Sequence, residues 1–168
     1  MSKNAPTPTF RPIEESDLLA LALLWHEAWR AGHLALAAPE LVEARTPDRF
    51  LNRLKPFAGN GIVALGADGE PDGFVYWDGP ELDQFHISER ARGTGLASEL
   101  MRRAEEAMAG VGITSAHLFC AEGNARAYRF YQKAGWRDQG VEGTKVSDGL
   151  GGWLPTACHR FTKELARR

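Results

Sequence analysis

The segment Arg92-Gly93-Thr94-Gly95-Leu96-Ala97 constrains this chain more than any other. It follows an apolar-alternating run at 82–88 and opens a helical pattern at 96–110. A strand, a tight glycine turn and a helix N-terminus in that order make an anion site. Glycine lets the backbone turn sharply and approach a ligand with no Cβ in the way. The first N–H groups of a helix lack intrahelical partners and sit at the positive end of its dipole. Such a turn takes a phosphate or pyrophosphate. No Gly-Lys-Ser/Thr follows it, which excludes a P-loop. No strand ending in an acidic residue follows the helix at dinucleotide-binding spacing either, so a phosphate-bearing ligand other than an ordinary nucleotide is favoured.

The run 82–97 resembles motif A of the GNAT superfamily of acyl-CoA-dependent N-acyltransferases. Arg92, Gly95 and Ala97 fill that family's Gln/Arg-x-x-Gly-x-Gly/Ala signature. Downstream, Asn124 to Trp136 resembles motif B, with Phe130-Tyr131-Gln132-Lys133-Ala134-Gly135-Trp136 in place of Phe-Tyr-x-Lys-x-Gly-Phe. The two motifs stand in the family's order and separation, and the resemblance spans about residues 9–165. It implies an α/β fold: a single-domain, GNAT-like, mixed and mostly antiparallel sheet of about seven strands flanked by about four helices. It also implies acetyl-CoA as the acyl donor, coenzyme A as product, and a sheet that splays between its fourth and fifth strands.

The element pattern agrees with that order. Residues 10–13 read as a first strand, and Ser16 as the N-cap of a helix whose face carries Leu18, Leu21, Ala22, Trp25, Ala28 and Trp29, with Gly32 past its end. The connection 33–44 is Ala/Leu-rich and partly helical in character. Thr46-Pro47 starts a second helix with Phe50, Leu51, Leu54 and Phe57 as its apolar members. Strands are expected at 61–65, 73–77, 82–88, 113–120, 136–141 and 157–161, and helices at 96–110 and 124–134. Residues 1–9 read as a flexible leader and 10–168 as the acetyltransferase-like domain.

The 168 residues suit one domain. A net charge of −2 gives no reason to expect nucleic acid or an anionic membrane as partner. No run is long enough to span a membrane, and the leader has no signal-peptide core, which points to the cytoplasm. Cys120 and Cys158 fit neither a disulfide framework nor a metal site and read as small core residues. Homodimers are common in the family that the chain resembles.

Acyl transfer to an amine requires a cradle for the pyrophosphate, donors for the thioester oxygen, a base for the ammonium and an acid for the leaving thiolate. The resemblance assigns the cradle to Arg92, Gly93, Thr94, Gly95, Leu96 and Ala97, and the donors to the backbone of Phe85, His86 and Ile87. Arg90, Arg126, Arg129 and Lys133 are candidates for a 3′-phosphate. Tyr131 occupies the motif B tyrosine that protonates the thiolate in relatives. Helical spacing sets Asn124, Tyr128 and Tyr131 on one face, which the resemblance implies meets the cofactor, with Phe130 and Ala134 turned to the core. Strand alternation sets Glu81, Asp83, Phe85 and Ile87 on one face. Glu81 is the leading base, with Asp83 and His86 behind it. Trp25, Trp29, His33 and the loop 149–153 are candidates for the acceptor pocket. These features suggest an enzyme that acetylates a primary amine of a small molecule. A non-catalytic acyl-CoA sensor module, and an acetyltransferase of protein N-termini or lysines, use the same cradle and stay open as alternatives.

Overall fold

Short runs rich in Val, Phe, Tyr and Trp separate the amphipathic segments, so the chain buries a sheet between helices. The computed structural model describes residues 7–57 and 60–166. Strands β1 (Thr9–Pro12), β2 (Gly61–Leu65), β3 (Pro71–Asp78), β4 (Glu81–Ile87), β5 (Ser115–Ala121), β6 (Arg137–Ser147) and β7 (Trp153–Glu164) form one open sheet in the order β1-β2-β3-β4-β5-β7-β6. Every pairing is antiparallel except β4 with β5. That parallel contact is confined to the register pair Glu81 and His117, so the two strands part immediately beyond it. The expected splay is present.

Five α-helices flank the sheet among the described residues: α1 (Leu18–His33), α2 (Pro39–Glu43), α3 (Pro47–Leu54), α4 (Leu96–Gly110) and α5 (Ala125–Lys133). The fifth, beyond the four expected, is the short α2, started by Pro39 in the Ala/Leu-rich connection. Ser16 does not cap α1. A 3₁₀ turn at Glu15–Asp17 precedes the helix, and Glu14 and Asp17 close it as a reciprocal capping box. Gly32 lies inside α1, whose last residue is His33. Thr46 and Pro47 do start α3. The last two strands run well beyond their expected ends and pair as a long hairpin. Residues 1–6 of the leader and the side chain of Phe57 lie outside the described residues, and Thr9 is already paired with Leu65.

Two apolar layers hold the sheet. On one face Leu96, Leu100, Met101, Ala104 and Met108 of α4 pack on Val75, Trp77, Leu82, Leu118 and Phe161. On the other, Leu21, Trp25 and Trp29 of α1 and Phe50 and Leu54 of α3 pack on Val63, Phe74 and Tyr76. Leu100 is fully buried at the centre of the first layer. Leu100→Ala should cost about 2–5 kcal/mol of stability, read from urea denaturation, because the site cannot collapse around the missing atoms. Among the described residues no helix is long and apolar enough to cross a membrane.

Candidate active site

The splay between β4 and β5 opens a cavity of about 1350 Å³. Ordinary small-ligand pockets hold about 300–1,000 Å³, so this volume suits two ligands meeting in one cleft. Ser88 N–H donates to Asp72 O at 2.8 Å, which turns Ser88 toward β3. By strand alternation His86 also faces β3, while Phe85 and Ile87 aim their N–H and C=O into the gap left by β5. The gap therefore offers unpaired strand backbone to an extended ligand.

At one end the cavity is bounded by Arg92, Gly93, Gly95 and Ala97. Gly93 and Gly95 have φ of +75° and +89°, and a Cβ at either would meet no atom within 4 Å. The turn thus needs glycine for its conformation and leaves open space in front of it. Between Gly93 and Ser98 the N–H groups make no hydrogen bond among the described residues, apart from a 3.4 Å contact of Leu96 N–H to Thr94 Oγ1. Thr94 Oγ1 itself donates to Ala91 O at 2.7 Å, which fixes the turn. The Leu96 side chain is core, so Thr94 and Leu96 serve this end through backbone alone. Arg126 joins Arg92 in the wall, and burial together with the charge of Arg92 lowers its hold on a proton. Arg90 is committed elsewhere, to Asp68 and Asp72 in the hairpin between β2 and β3. An anion of pyrophosphate type fits this set of free N–H groups and arginines.

Motif B contributes a wall through α5, but not with the face that spacing suggested. Asn124 caps the helix, its Oδ1 accepting from Ala127 N–H at 3.2 Å, and also lines the cavity. Tyr131 lines it too, packed against Phe85, Phe130 and Phe161. Its hydroxyl makes no hydrogen bond among the described residues, and burial beside Cys120 pushes its pKa up, so it stays protonated. Tyr128 turns away: its hydroxyl donates to Asp138 Oδ2 at 2.9 Å, and its ring lies on His159 and Phe161. Phe130 packs against the core as expected, but it also stacks on Phe85 at 5.3 Å and lines the cavity. The nine-residue α5 presents side chains both to the cavity and to the β6–β7 surface, so a single-face reading fails.

Mid-cleft, β4 carries a bulge that no alternation pattern revealed. Tyr76 pairs with Gln84 and Trp77 with Leu82, leaving Asp83 as the extra residue. The parity flips there. Leu82 joins Phe85 and Ile87 on the α4 layer, and Glu81 does not share their face as expected. Glu81 and Asp83 still line the cavity, with Asp78 beside them. Burial, reinforced by the charge of Glu81, pushes the Asp83 carboxyl up to about 6, against the pull of Arg53. Burial also raises Glu81, whose Oε2 lies 3.8 Å from His117 Nε2. His86 lines the cavity with its ring on Trp25 and Phe74 and its Nε2 2.9 Å from Gln84 Oε1. Desolvation among these rings holds its pKa well below the ordinary value, so the ring is neutral.

Trp25, Trp29 and His33 close the far end, and the two tryptophans are at once core and cavity wall. The loop between β6 and β7 is held against α3 there. Arg45 Nη1 donates to Ser147 O at 2.7 Å and Asn52 Nδ2 to Gly149 O at 3.2 Å. A Cβ on Gly149 would sit 2.6 Å from Arg49 O, so only glycine permits this approach. Arg45 and Arg53 both line the cavity and were not singled out in the sequence. Their legible trace is the recurrence of arginine at 45, 49 and 53, every fourth residue around α3.

A family model described as the acetyltransferase (GNAT) family matches residues 20–136. No curated protein matches the chain. Among solved structures, a GCN5-related N-acetyltransferase from Rhodopseudomonas palustris superposes with a TM-score of 0.75 at 20% identity, covering 98% of this chain and 100% of that one. The PaiA N-acetyltransferase of Thermoplasma acidophilum, solved with coenzyme A, gives 0.70 at 20%, covering 94% and 99%. A phosphinothricin acetyltransferase of Sinorhizobium meliloti, solved with acetyl-CoA, gives 0.69 at 17%, covering 95% and 89%. At such identities these likenesses show a shared fold.

Proposed function

Because this chain belongs to the GNAT family of acetyltransferases, we propose that its cleft binds acetyl-CoA and passes the acetyl group directly to a primary amine of a small-molecule acceptor. The observation that carries this reading is the splayed cavity itself, with the free N–H turn at one end, Tyr131 in its wall and carboxylates across it. Acetyl-CoA supplies an activated thioester and an anionic pyrophosphate handle. Two neighbours solved with coenzyme A or acetyl-CoA support the same assignment.

Gly93, Thr94, Gly95, Leu96 and Ala97 hold the pyrophosphate through their N–H groups, with the side chains of Arg92 and Arg126 adding charge. Backbone groups of Phe85 and Ile87 pair with the pantetheine arm as a strand would, beside the aromatic wall of His86 and Phe130. Asn124 offers its amide to the same arm. One β4 N–H polarises the thioester carbonyl. Tyr131 donates its proton to the departing sulfur, a role for which a buried, neutral phenol is suited.

Cys120 lines the cavity, but burial beside Cys158 pushes its thiol up to about 12. A thiol held protonated is no nucleophile at neutral pH, which supports direct attack by the amine over an acyl-enzyme. Both cysteines are buried and free, in keeping with the cytoplasmic setting expected from the sequence. The enclosing tryptophans and the docked β6–β7 loop favour a small acceptor over a protein segment.

Glu81 and Asp83 act as a pair to take the ammonium proton. The base must be ionised, so kcat/KM should fall as pH drops through about 6, where Asp83 protonates. Asp83→Asn should remove that acid limb and lower kcat/KM by about 10²–10⁴-fold. Glu81→Gln removes the charge that raises Asp83 and should move the limb to lower pH. Rate profiles for both variants, read from coenzyme A release, check this. Profiles identical to wild type would remove the pair from the mechanism.

A further inference from the structure

Two arginines of the cavity, Arg45 buried and Arg53 half-buried, have no carboxylate in contact among the described residues, the counterion that a cation taken out of water requires. Arg45 is 5% exposed, and among the described residues its Nε has no hydrogen-bond partner and only Nη1 of its other nitrogens is engaged, by Ser147 O. Asp148, the acid whose charge it feels most, already accepts from Leu150 N–H and Gly152 N–H. Arg53 makes no hydrogen bond or ion pair among the described residues. Its guanidinium instead lies over the rings of Trp25, at 4.3 Å, and Phe50, at 5.9 Å. Phe50 also carries Arg45 at 5.8 Å, so one buried ring brings the two cations together. Burial and the charge of Arg45 bring Arg53 down to about 9. An oxyanion between them would relieve both the burial and the repulsion, and a guanidinium fork matches a carboxylate.

Asp78, Glu81 and Asp83 line the same cavity, and Asp83 is within electrostatic reach of Arg53. The acceptor end is therefore dipolar, with a cationic pocket beside an anionic one. A simple amine satisfies only the second. We propose that the acceptor is an amino acid, its carboxylate held by Arg45 and Arg53 and its amino group presented at Asp78, Glu81 and Asp83. This rests on the acetyltransferase reading above, and names the class of amine that the site takes. The aromatic wall of Trp25 and Trp29 receives the side chain.

The test measures coenzyme A release with each of the standard amino acids and, in parallel, with the amine that its decarboxylation would give. At least one amino acid should exceed its decarboxylated partner by about tenfold or more in kcat/KM. Arg53→Met should erase that preference through KM, with acetyl-CoA affinity unchanged; Arg53→Lys, which keeps the charge, should retain part of it. Amines used as well as their parent amino acids, or a preference untouched by Arg53→Met, would overturn the proposal. So would acetyl-CoA binding with no amino acid acetylated. Failure of the wild-type protein to bind acetyl-CoA at all would sink the acetyltransferase reading together with it.

Discussion

Gly95→Glu is expected to abolish acetyl-CoA binding while leaving a folded protein. Gly95 adopts φ +89°, which costs an L-residue about 1–2 kcal/mol, within the stability margin of a domain this size. A Cβ there meets nothing within 4 Å, so the new side chain is not forced into the core. It enters the space that the free N–H groups of 93–98 face, and brings a negative charge to the turn proposed to hold the pyrophosphate. Equilibrium dialysis should show no retained acetyl-CoA, and thermal unfolding should remain cooperative. Retained affinity would place the pyrophosphate elsewhere.

Tyr131→Phe should lower kcat by about 10²–10⁴-fold with little change in acetyl-CoA affinity. The ring is 8% exposed and wedged among Phe85, Phe130 and Phe161, contacts that phenylalanine keeps. The hydroxyl holds no other hydrogen bond among the described residues, so its loss leaves no protein group unsatisfied there. The variant therefore isolates proton donation to the leaving sulfur. Turnover equal to wild type would assign Tyr131 to packing alone.

The anion turn and the strand-helix order around it were legible because each depends on local chemistry: glycine at positive φ, an alternating run before it, an amphipathic run after. The cap at Asn124 was legible for the same reason. The bulge at Asp83 was not, since it inserts one residue without any glycine or proline to mark it, and only pairing with Tyr76 and Trp77 exposes it. Spacing on α5 misassigned Tyr128 and missed the cavity contact of Phe130, because which face of the helix meets the cavity is a tertiary property. Arg45 and Arg53 became a site only when a loop about 100 residues away in sequence closed over α3, the Arg45 bond to Ser147 spanning 102 positions. The recurrence of arginine at 45, 49 and 53 is the one trace in the sequence, and it gives no sign that Arg45 is buried.

The account stands on the cleft between β4 and β5 being an acetyl-CoA site. The most direct test is calorimetric titration of the wild-type protein with acetyl-CoA. Saturable micromolar binding of one molecule per chain is the predicted result. A titration with no binding heat at any accessible temperature would contradict it, and leave the free N–H groups of 93–98 without their ligand.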